Sequence, residues 1–165
     1  MFRIGEYVVY GCKGIHRILD TTHLSLDGVS RDRLYYVMQP LGTENGAIYA
    51  PVDAEKLNMR SVMTKAQAER FLLSIPSIAL LDSQSNKQRE DAYKSCIRSS
   101  DPNKLMRVIK TLLRRKTERK RSGKRLTVSD VHCLEQAEDI LFSELCLVLG
   151  LERPALLALV QESIG

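Results

Sequence analysis

Positive charge is concentrated in one stretch of this chain, residues 104 to 125. The stretch contains eleven lysines and arginines and a single acid, Glu118, which gives it a net charge of +10. The whole chain of 165 residues carries only +5, so the rest of it is acidic on balance. A dense array of lysine and arginine attracts polyanions, and its natural counterpart is a phosphate backbone. The charge pattern therefore predicts a surface that binds nucleic acid.

A helix is expected to carry the first part of this basic stretch. Asp101 followed by Pro102 is a favoured helix opening, because aspartate caps free N–H groups and proline suits the first helical position. Ser122 and Gly123 supply an ending, so we expect a helix from Pro102 to about Arg121. Apolar residues recur on one face of it at spacings of three and four, which predicts that this face packs on a core. These residues are Leu105, Val108, Ile109, Leu112 and Leu113.

Helical signals also precede the basic stretch. Thr64 and Gln67 fit a capping box, in which the side chain and the backbone of the two residues bond reciprocally, and apolar residues follow at helical spacing. A polar connection is expected over residues 82–87. A second helix is then predicted over residues 89–99, with Ala92 and Cys96 on its packed face.

A long helix is predicted after the basic stretch, beginning at a cap on Thr127 or Ser129 and ending at Gly150. The Asp and Glu residues between 130 and 144 are expected on its outer, solvated face. A last helix is predicted over residues 154–163, so the C-terminal hundred residues should form an all-helical bundle. The core face of the long helix is expected to hold Val131, Leu134, Ala137, Leu141, Leu145 and Val148.

Short strands are predicted before residue 62. Runs of β-branched and aromatic residues alternate with turn signals at intervals of about ten residues, a pattern typical of a small barrel of SH3 or Tudor size. Asp27-Gly28 predicts a type I′ hairpin turn, and Pro51 is expected at a strand edge because proline cannot donate to a ladder. The predicted fold class is therefore α+β, with a β-barrel over residues 1–61 and an all-α bundle over residues 62–165. The predicted strands cover residues 5–10, 15–21, 34–38, 47–50 and 57–62.

Signatures of catalysis and of metal binding do not occur in this sequence. The three histidines, His16, His23 and His132, have no neighbour that would form a nucleophile and base pair with them, and there is no phosphate-binding glycine loop. The four cysteines lack paired spacing and are expected to be free, buried thiols. We therefore expect no enzyme activity, no cofactor, no metal and no small-molecule substrate.

The N-terminus and the hydropathy of the chain bear on its location. The first residues lack the charged and apolar regions of a secretion signal, and no apolar run approaches the ~18 residues of a membrane span. The expected location is the cytoplasm, with no membrane partner.

Four islands of sequence lie at residues 5–14, 35–37, 51–60 and 101–145, and by their order and spacing they resemble the CarD family of bacterial transcription regulators. The first, residues 5–14, reads Gly-Glu-Tyr-Val-Val-Tyr followed by a turn that ends on Gly14, and it is similar to the opening of that family. The resemblance extends over nearly the whole chain. The other islands are Tyr35-Tyr36-Val37, then Pro51-Val52 with Met59-Arg60, and a block from Asp101 through Leu112, Arg114, Arg115, Glu118 and Arg119 to Phe142, Glu144 and Leu145.

The resemblance implies a function in transcription. In the CarD family a Tudor-like N-terminal module docks on the β subunit of RNA polymerase, and a helical domain contacts promoter DNA at the upstream edge of the transcription bubble. The family stabilises the open promoter complex without reading base sequence. Residues 1–61 are therefore expected to bind polymerase through an exposed strand edge, and residues 62–165 to bind DNA. The edge is expected to comprise Ile48, Tyr49, Ala50 and Pro51.

This chain departs from the family at the position where a tryptophan commonly wedges into the minor groove. It contains no Trp, and the matching position falls near Asn86 or Lys87. The basic pair that usually follows is reduced to Arg89. DNA contact is therefore expected to depend on charge more than on insertion. The predicted DNA-binding residues are Lys87, Arg89, Arg114, Arg115, Arg119, Lys120, Lys124 and Arg125.

Two other functions fit the same basic stretch. A free-standing RNA-binding or ribosome-associated protein would use it on RNA phosphates, and would not retain polymerase. A structural interaction protein would use it on an acidic protein partner, and would show no response to DNA.

Overall fold

The computed structural model describes residues 1–53, 58–82 and 85–164. The chain divides into two compact units, Met1–Val62 and Met63–Gly165. The boundary that the sequence suggests, after residue 61, lies one residue before this division. The first unit holds the strands and the second holds the α-helices, which confirms the predicted α+β class.

The N-terminal unit is one antiparallel sheet. Its strands are β1 (Tyr7–Tyr10), β2 (Ile15–His23), β3 (Leu34–Pro40), β4 (Ile48–Pro51) and β5 (Met59–Ser61). They lie in the order β4-β3-β2-β1-β5, so consecutive strands pair from β1 to β4 and β5 returns to pair with β1. A short five-stranded sheet whose last strand returns to its first has the connectivity expected of a small barrel-like module.

The core of this sheet comes from strand positions that share one face. Residues two apart on a strand point the same way, and Tyr36 and Met38 of β3 are both buried in this manner. The register of β2 shifts between Ile18 and Asp20, which leaves Leu19 as a bulged, 40% exposed residue while Ile18 stays buried. The core cluster consists of Val8, Ile18, Tyr36, Met38 and Ala50.

The connection from β2 to β3 differs from the prediction. The sequence suggests a two-residue type I′ turn at Asp27-Gly28, but the strands end further apart and the loop covers residues 24–33. Gly28 has φ 82°, and the Val29 N–H donates to the Leu26 carbonyl, so the pair does form a turn within that loop. A type I′ turn requires positive φ at both central residues, and Asp27 does not adopt it. The predicted start of β5 at Leu57 lies outside the described residues.

The C-terminal unit consists of helices. They are α1 (Lys65–Ser74), α2 (Asn86–Ser99), α3 (Pro102–Arg121), α4 (Val128–Leu149) and α5 (Arg153–Ile164). The capping box of Thr64 and Gln67 is present, and Asp101 caps α3 by accepting from the Lys104 N–H at 3.1 Å. Thr127 caps α4, and Gly150 ends it in the left-handed conformation with φ 66°. The predicted helix order is confirmed, with α2 beginning earlier than expected.

Because α2 begins earlier than predicted, one predicted site residue, Lys87, lies in the helix and not in the connection before it. Sequence spacing places Lys87 in a polar connection, but Ser85 caps the helix by accepting from the Gln88 N–H at 3.1 Å. Serine at an N-cap satisfies an N–H group that would otherwise lack a partner, so the helix can begin at Asn86. Lys87 therefore lies in the first turn of α2 and is exposed.

The core of the helical unit lies where α3 packs against α2 and α4. Four of the five apolar residues predicted on α3 are fully buried, and Leu113 is half-buried. On α4 the prediction is wrong for Val131, which is 39% exposed, because it lines a cavity between α3 and α4 rather than the core. The buried core residues predicted correctly on α4 are Leu134, Ala137, Leu141 and Leu145.

Two acids of α4 contradict the expectation of a uniformly solvated acidic face. Asp130 and Glu144 are buried. Glu144 accepts a hydrogen bond from the Met63 N–H at 2.8 Å, and Asp130 pairs with Arg115. A buried carboxylate is stable only when hydrogen-bonded or paired, and both partners come from far along the chain. Helical spacing could not reveal them.

The cysteines are free, as predicted, but not all of them are buried. Cys96 and Cys133 are buried, Cys146 is half-buried and Cys12 is exposed. Within the described residues no cluster of His, Cys, Asp and Glu has the size of a metal site. No helix in the described part of the chain is long and apolar enough to cross a membrane.

Candidate nucleic-acid interface and docking edge

Two cations in the N-terminal half of α3, Lys110 and Arg107, are used inside the protein. Lys110 is only 8% exposed, and its Nζ donates to the carbonyls of Ile75 and Ile78 at 2.8 and 2.7 Å. The Nε of Arg107 donates to the Ala79 carbonyl at 3.2 Å. These cations hold the segment that joins α1 to α2 against α3. They contribute to the net charge of the stretch but present little of it to a partner.

Arg115 and Arg89, both predicted to bind DNA, lie around Tyr93 between α2, α3 and α4. Arg115 Nε is 2.9 Å from Asp130 Oδ2, and the two side chains are 24% and 8% exposed. Arg89 donates through Nη2 to Asn86 Oδ1 at 2.9 Å, while its Nε is buried and has no hydrogen-bond partner within residues 1–53, 58–82 and 85–164. Both guanidinium groups are therefore engaged within the helical unit.

Tyr93 itself is fully buried, and its hydroxyl has no hydrogen-bond partner among the described residues. Burial raises the pKa of Tyr93 to about 12, and the cations Arg89 and Arg115 partly oppose that rise. Glu90 joins α2 to α4 by accepting from Ser129 Oγ at 2.5 Å. That hydrogen bond, with Lys94 nearby, lowers the pKa of Glu90. The cluster fixes α2 against the first turn of α4.

Arg119 shapes the loop that follows α3. Its Nε donates to the Arg125 carbonyl at 2.6 Å, and the Lys124 N–H donates to the Arg119 carbonyl at 2.8 Å. Gly123 has φ 71°, a left-handed conformation that ends the helix and turns the chain back. Arg119 thus orders the loop of residues 122–127, which we call the basic loop, and so places the side chains of Lys124 and Arg125.

The remaining predicted cations of α3 and the basic loop divide between two cavities, whereas Lys87 of α2 lines neither. Arg114 forms an exposed pair with Glu118 at 3.1 Å and lines a cavity of about 550 Å³ together with Arg121. Lys120, Lys124 and Arg125 line a second cavity of about 620 Å³ between α3, the basic loop and α4. We call this second cavity the α3–α4 groove.

The α3–α4 groove also contains a cation that the prediction of site residues omitted. Lys116 lies one turn before Lys120 and lines the same groove, so the spacing of four residues would have identified it. Within the described part of the chain, no ion pair within 4.0 Å or side-chain hydrogen bond engages these four groove cations. Their charge is therefore available to a ligand. The four are Lys116, Lys120, Lys124 and Arg125.

The predicted docking edge of the N-terminal unit is the edge strand β4. In the described part of the sheet β4 pairs with β3 alone. The Val52 N–H donates to the Leu34 carbonyl at 3.0 Å, and bonded and non-bonded pairs alternate along an antiparallel ladder. By the register of β3 and β4, Tyr49 and Pro51 then direct their backbone groups away from β3.

This alternation gives the β4 edge a specific pattern of hydrogen-bonding groups. Tyr49 offers an outward N–H and carbonyl, and its side chain is 47% exposed. Pro51 stands at the next outward position, where the missing N–H costs the sheet no internal bond. Ala50 is buried and belongs to the core. The edge can therefore accept an added strand at Tyr49, with the ladder limited at Pro51.

Comparison with known families agrees with the division into two units. Residues 2–63 match the sequence model of the CarD-like/TRCF RID domain, a Tudor-like module, and residues 77–161 match that of the CarD C-terminal domain. The two matches cover most of the chain and follow one another in the order that the islands of sequence suggest. No curated protein matches the chain.

Proposed function

This chain belongs to the CarD family of transcription regulators, which bind RNA polymerase, and from that premise we propose that it joins the polymerase β subunit to promoter DNA. The strand edge at β4 supplies the polymerase contact. The cations of α3 and the basic loop hold DNA without reading its sequence. The protein acts in the cytoplasm, on the nucleoid, and stabilises the open complex by binding alone, without catalysing a reaction.

A set of cations at the C-terminal end of α3 and in the basic loop supports the proposed contact with DNA. Lys116, Lys120, Lys124 and Arg125 lie together without an acid partner within 4.0 Å, as far as the described residues show. Arg115 and Arg119 support this surface from within, by fixing α4 and the basic loop. Phosphate contact through such side chains is strong at low salt and independent of base sequence.

A salt titration tests the DNA contact. Replacing Lys120, Lys124 and Arg125 together by alanine should flatten the slope of log affinity against log salt by about two to three, because each phosphate contact contributes about −0.9 on duplex DNA. The measurement is fluorescence anisotropy of a labelled duplex with the full chain, between about 50 and 200 mM salt.

The matched control removes three charges elsewhere on the same unit. Lys65, Arg70 and Lys104 are exposed, and Lys104 lies about 24 Å from Lys120 along α3 at 1.5 Å per residue. Their replacement by alanine should leave the slope within about one unit of the original. Equal flattening by both triple variants would assign the effect to net charge rather than to this surface.

The polymerase contact follows from the β4 edge. An open edge with a free N–H and carbonyl can pair with a strand of another protein, so main-chain bonds supply affinity and side chains supply selectivity. Tyr49 provides both, since its backbone faces outward and its ring is half-exposed. Docking of this kind raises the local concentration of DNA around the helical unit, so that weak, non-specific DNA binding is sufficient.

A further inference from the structure

The α3–α4 groove has the dimensions of a small-molecule site. Its volume of about 620 Å³ falls within the ~300–1,000 Å³ of ligand pockets. One wall comes from a single face of α3 and the other from a single face of α4, with the basic loop joining them. The α3 residues are Leu113, Lys116 and Lys120, the loop residues are Lys124, Arg125 and Leu126, and the α4 residues are Val131, Leu134, Glu135 and Glu138.

Opposite charges occupy opposite sides of this groove. All four cations belong to α3 and the basic loop, and both acids, Glu135 and Glu138, belong to α4. No ion pair within 4.0 Å joins the two sides among these described residues. Glu138 is half-buried, and loss of solvent raises its pKa. The groove thus holds cations on one side and acids on the other across an apolar floor, and the charges of Arg153 and Lys116 partly oppose the rise in the pKa of Glu138.

Four aliphatic side chains, which range from buried to partly exposed, form the floor of the groove. Leu134 is 7% exposed, Leu113 and Leu126 are half-buried, and Val131 is 39% exposed. These residues offer a flat-sided ligand an apolar surface between the two charged walls. The groove therefore suits a ligand that carries both an anionic group and an apolar surface.

This arrangement selects among anionic ligands. An acidic peptide would satisfy the cations but would place further carboxylates against Glu135 and Glu138, which costs free energy in a partly desolvated site. A nucleotide carries phosphate at one end and, in cytosine or adenine, an exocyclic amino donor at the other. Phosphate pairs with lysine and arginine, and carboxylates accept from such amino groups.

We infer that the α3–α4 groove binds a nucleotide whose base carries an exocyclic amino group. The phosphate lies against Lys116, Lys120, Lys124 and Arg125, the base lies on Leu113, Leu126 and Leu134, and the amino group donates to Glu135 or Glu138. This goes beyond the proposed function, in which the protein contacts DNA phosphates and reads no base. The nucleotide can be free in solution or an unpaired unit of a single strand.

A comparison of two nucleotides that differ in this amino group tests the proposed base preference. Cytosine has an amino group where uracil has a carbonyl, so the full chain should bind CTP about five- to tenfold more tightly than UTP in calorimetry at low salt. Replacing Glu135 and Glu138 together by alanine should remove that preference and leave UTP binding unchanged or tighter. Equal affinity for CTP and UTP, or no binding of either at about 1 mM in a chain that binds duplex DNA, rules out a free nucleotide as the ligand and leaves the single strand as the only source that could sustain the inference.

The same protein serves for a control variant and for a test of single-stranded DNA as the source of the nucleotide. Arg121→Ala removes a cation of α3 that lines the other cavity, and it should leave the CTP preference intact. If the nucleotide comes from a strand, oligo-dC should bind at least fivefold more tightly than oligo-dT, again only when both glutamates are present. Absence of preference in both the free and the strand series rejects the site.

Failure of this inference and failure of the proposed function give different results. A chain that retains salt-dependent duplex binding but shows no base preference lacks the nucleotide site alone. A chain that binds CTP through the groove but shows no binding to duplex DNA lacks the proposed promoter contact alone. Circular dichroism melting of the double glutamate variant checks that its fold is retained.

Discussion

The ion pair between Arg115 and Asp130 lies largely away from water, with Asp130 only 8% exposed. Removing one member of a buried pair leaves the other charge without compensation, at a cost of about 3–5 kcal/mol. Arg115→Ala should therefore lower the free energy of unfolding by about 3 kcal/mol. The measurement is a urea denaturation curve of the full chain, followed by helical circular dichroism.

The neighbouring Arg114 supplies the control. Its pair with Glu118 is exposed, with side chains 66% and 60% accessible, so Arg114→Ala should change the free energy of unfolding by less than about 0.5 kcal/mol. If the two alanine variants were equally stable, Arg115 would have no structural role. Its assignment as a direct DNA contact would then regain support.

The buried hydroxyl of Tyr93 predicts an effect of pH. Its pKa is raised to about 12 in the folded chain from an ordinary value of 10.0, so between those values the unfolded state loses its proton first. Titration of this group leaves the free energy of unfolding unaffected below about pH 10 and lowers it by about 1.4 kcal/mol per pH unit from there to about pH 12. Tyr93→Phe should lessen the loss of stability between pH 9.5 and roughly 11.

Tyr93→Phe should also be tolerated near neutral pH. Because the hydroxyl has no partner among the described residues, removing it should leave the free energy of unfolding unchanged or raise it by up to about 1 kcal/mol. Thermal and urea unfolding at pH 7 and pH 10.5 provide the comparison. Strong destabilisation at pH 7 would show that the hydroxyl is bonded, and an unchanged alkaline response would show that Tyr93 does not titrate on unfolding.

Helix α3 packs on the core through its apolar face and presents a charged surface near its C-terminal end. Its apolar stripe and its cap at Asp101 follow local rules of spacing and capping, and both could be predicted from the sequence. The direction of each cation could not. Lys110 points to carbonyls of residues 75 and 78, and Arg115 to Asp130 on the next helix, and such partners are set by tertiary packing. Counting charge predicts that a surface exists but not which residues form it.

The edge strand β4 allows a substitution that blocks pairing without disturbing the sheet. Tyr49→Pro removes the outward N–H, while the bonds of β4 to β3 use the residues on either side. Binding of the β subunit should fall at least about tenfold in a pull-down or by interferometry, with the melting temperature nearly unchanged. Tyr49→Ala keeps the N–H and should lose only the contribution of the ring.

Ala50→Pro is a control variant that should disturb the sheet itself. It removes an N–H that faces β3, so it should lower the stability of the N-terminal unit as well as binding. Polymerase binding by Tyr49→Pro at the level of the original chain would place the docking surface elsewhere on the sheet.

At the scale of the whole molecule, the order of a strand unit followed by a helical unit could be predicted from the change in hydrophobic period near residue 63. Four short islands then indicated the family, which the domain matches confirm. The groove between α3 and α4 could not be predicted, because it depends on how the two helices and the basic loop pack. The absence of tryptophan is visible in the sequence, and it makes the proposed DNA contact electrostatic.

Asn86, at the position that matches the tryptophan of the family, provides a prediction for the assembled complex. Its Oδ1 already accepts from Arg89, so its side chain is held on the surface of α2 and is not free to insert between bases. Asn86→Ala should leave open-complex lifetime within about twofold of the original, since unstacking a base step requires an inserted apolar wedge. If Asn86→Ala abolished the extension of open-complex lifetime while polymerase binding was preserved, the result would support an insertion mechanism instead.

In the proposed function, one chain joins polymerase to promoter DNA through two separate surfaces. The most direct measurement is the lifetime of open complexes on a promoter fragment after addition of competitor DNA, with the original chain, with Tyr49→Pro, and with the triple alanine variant at Lys120, Lys124 and Arg125. The original chain should extend the lifetime. Each variant should abolish that extension, the first while still binding duplex DNA and the second while still binding the β subunit. Extension of the lifetime by either variant at the level of the original chain would contradict the account.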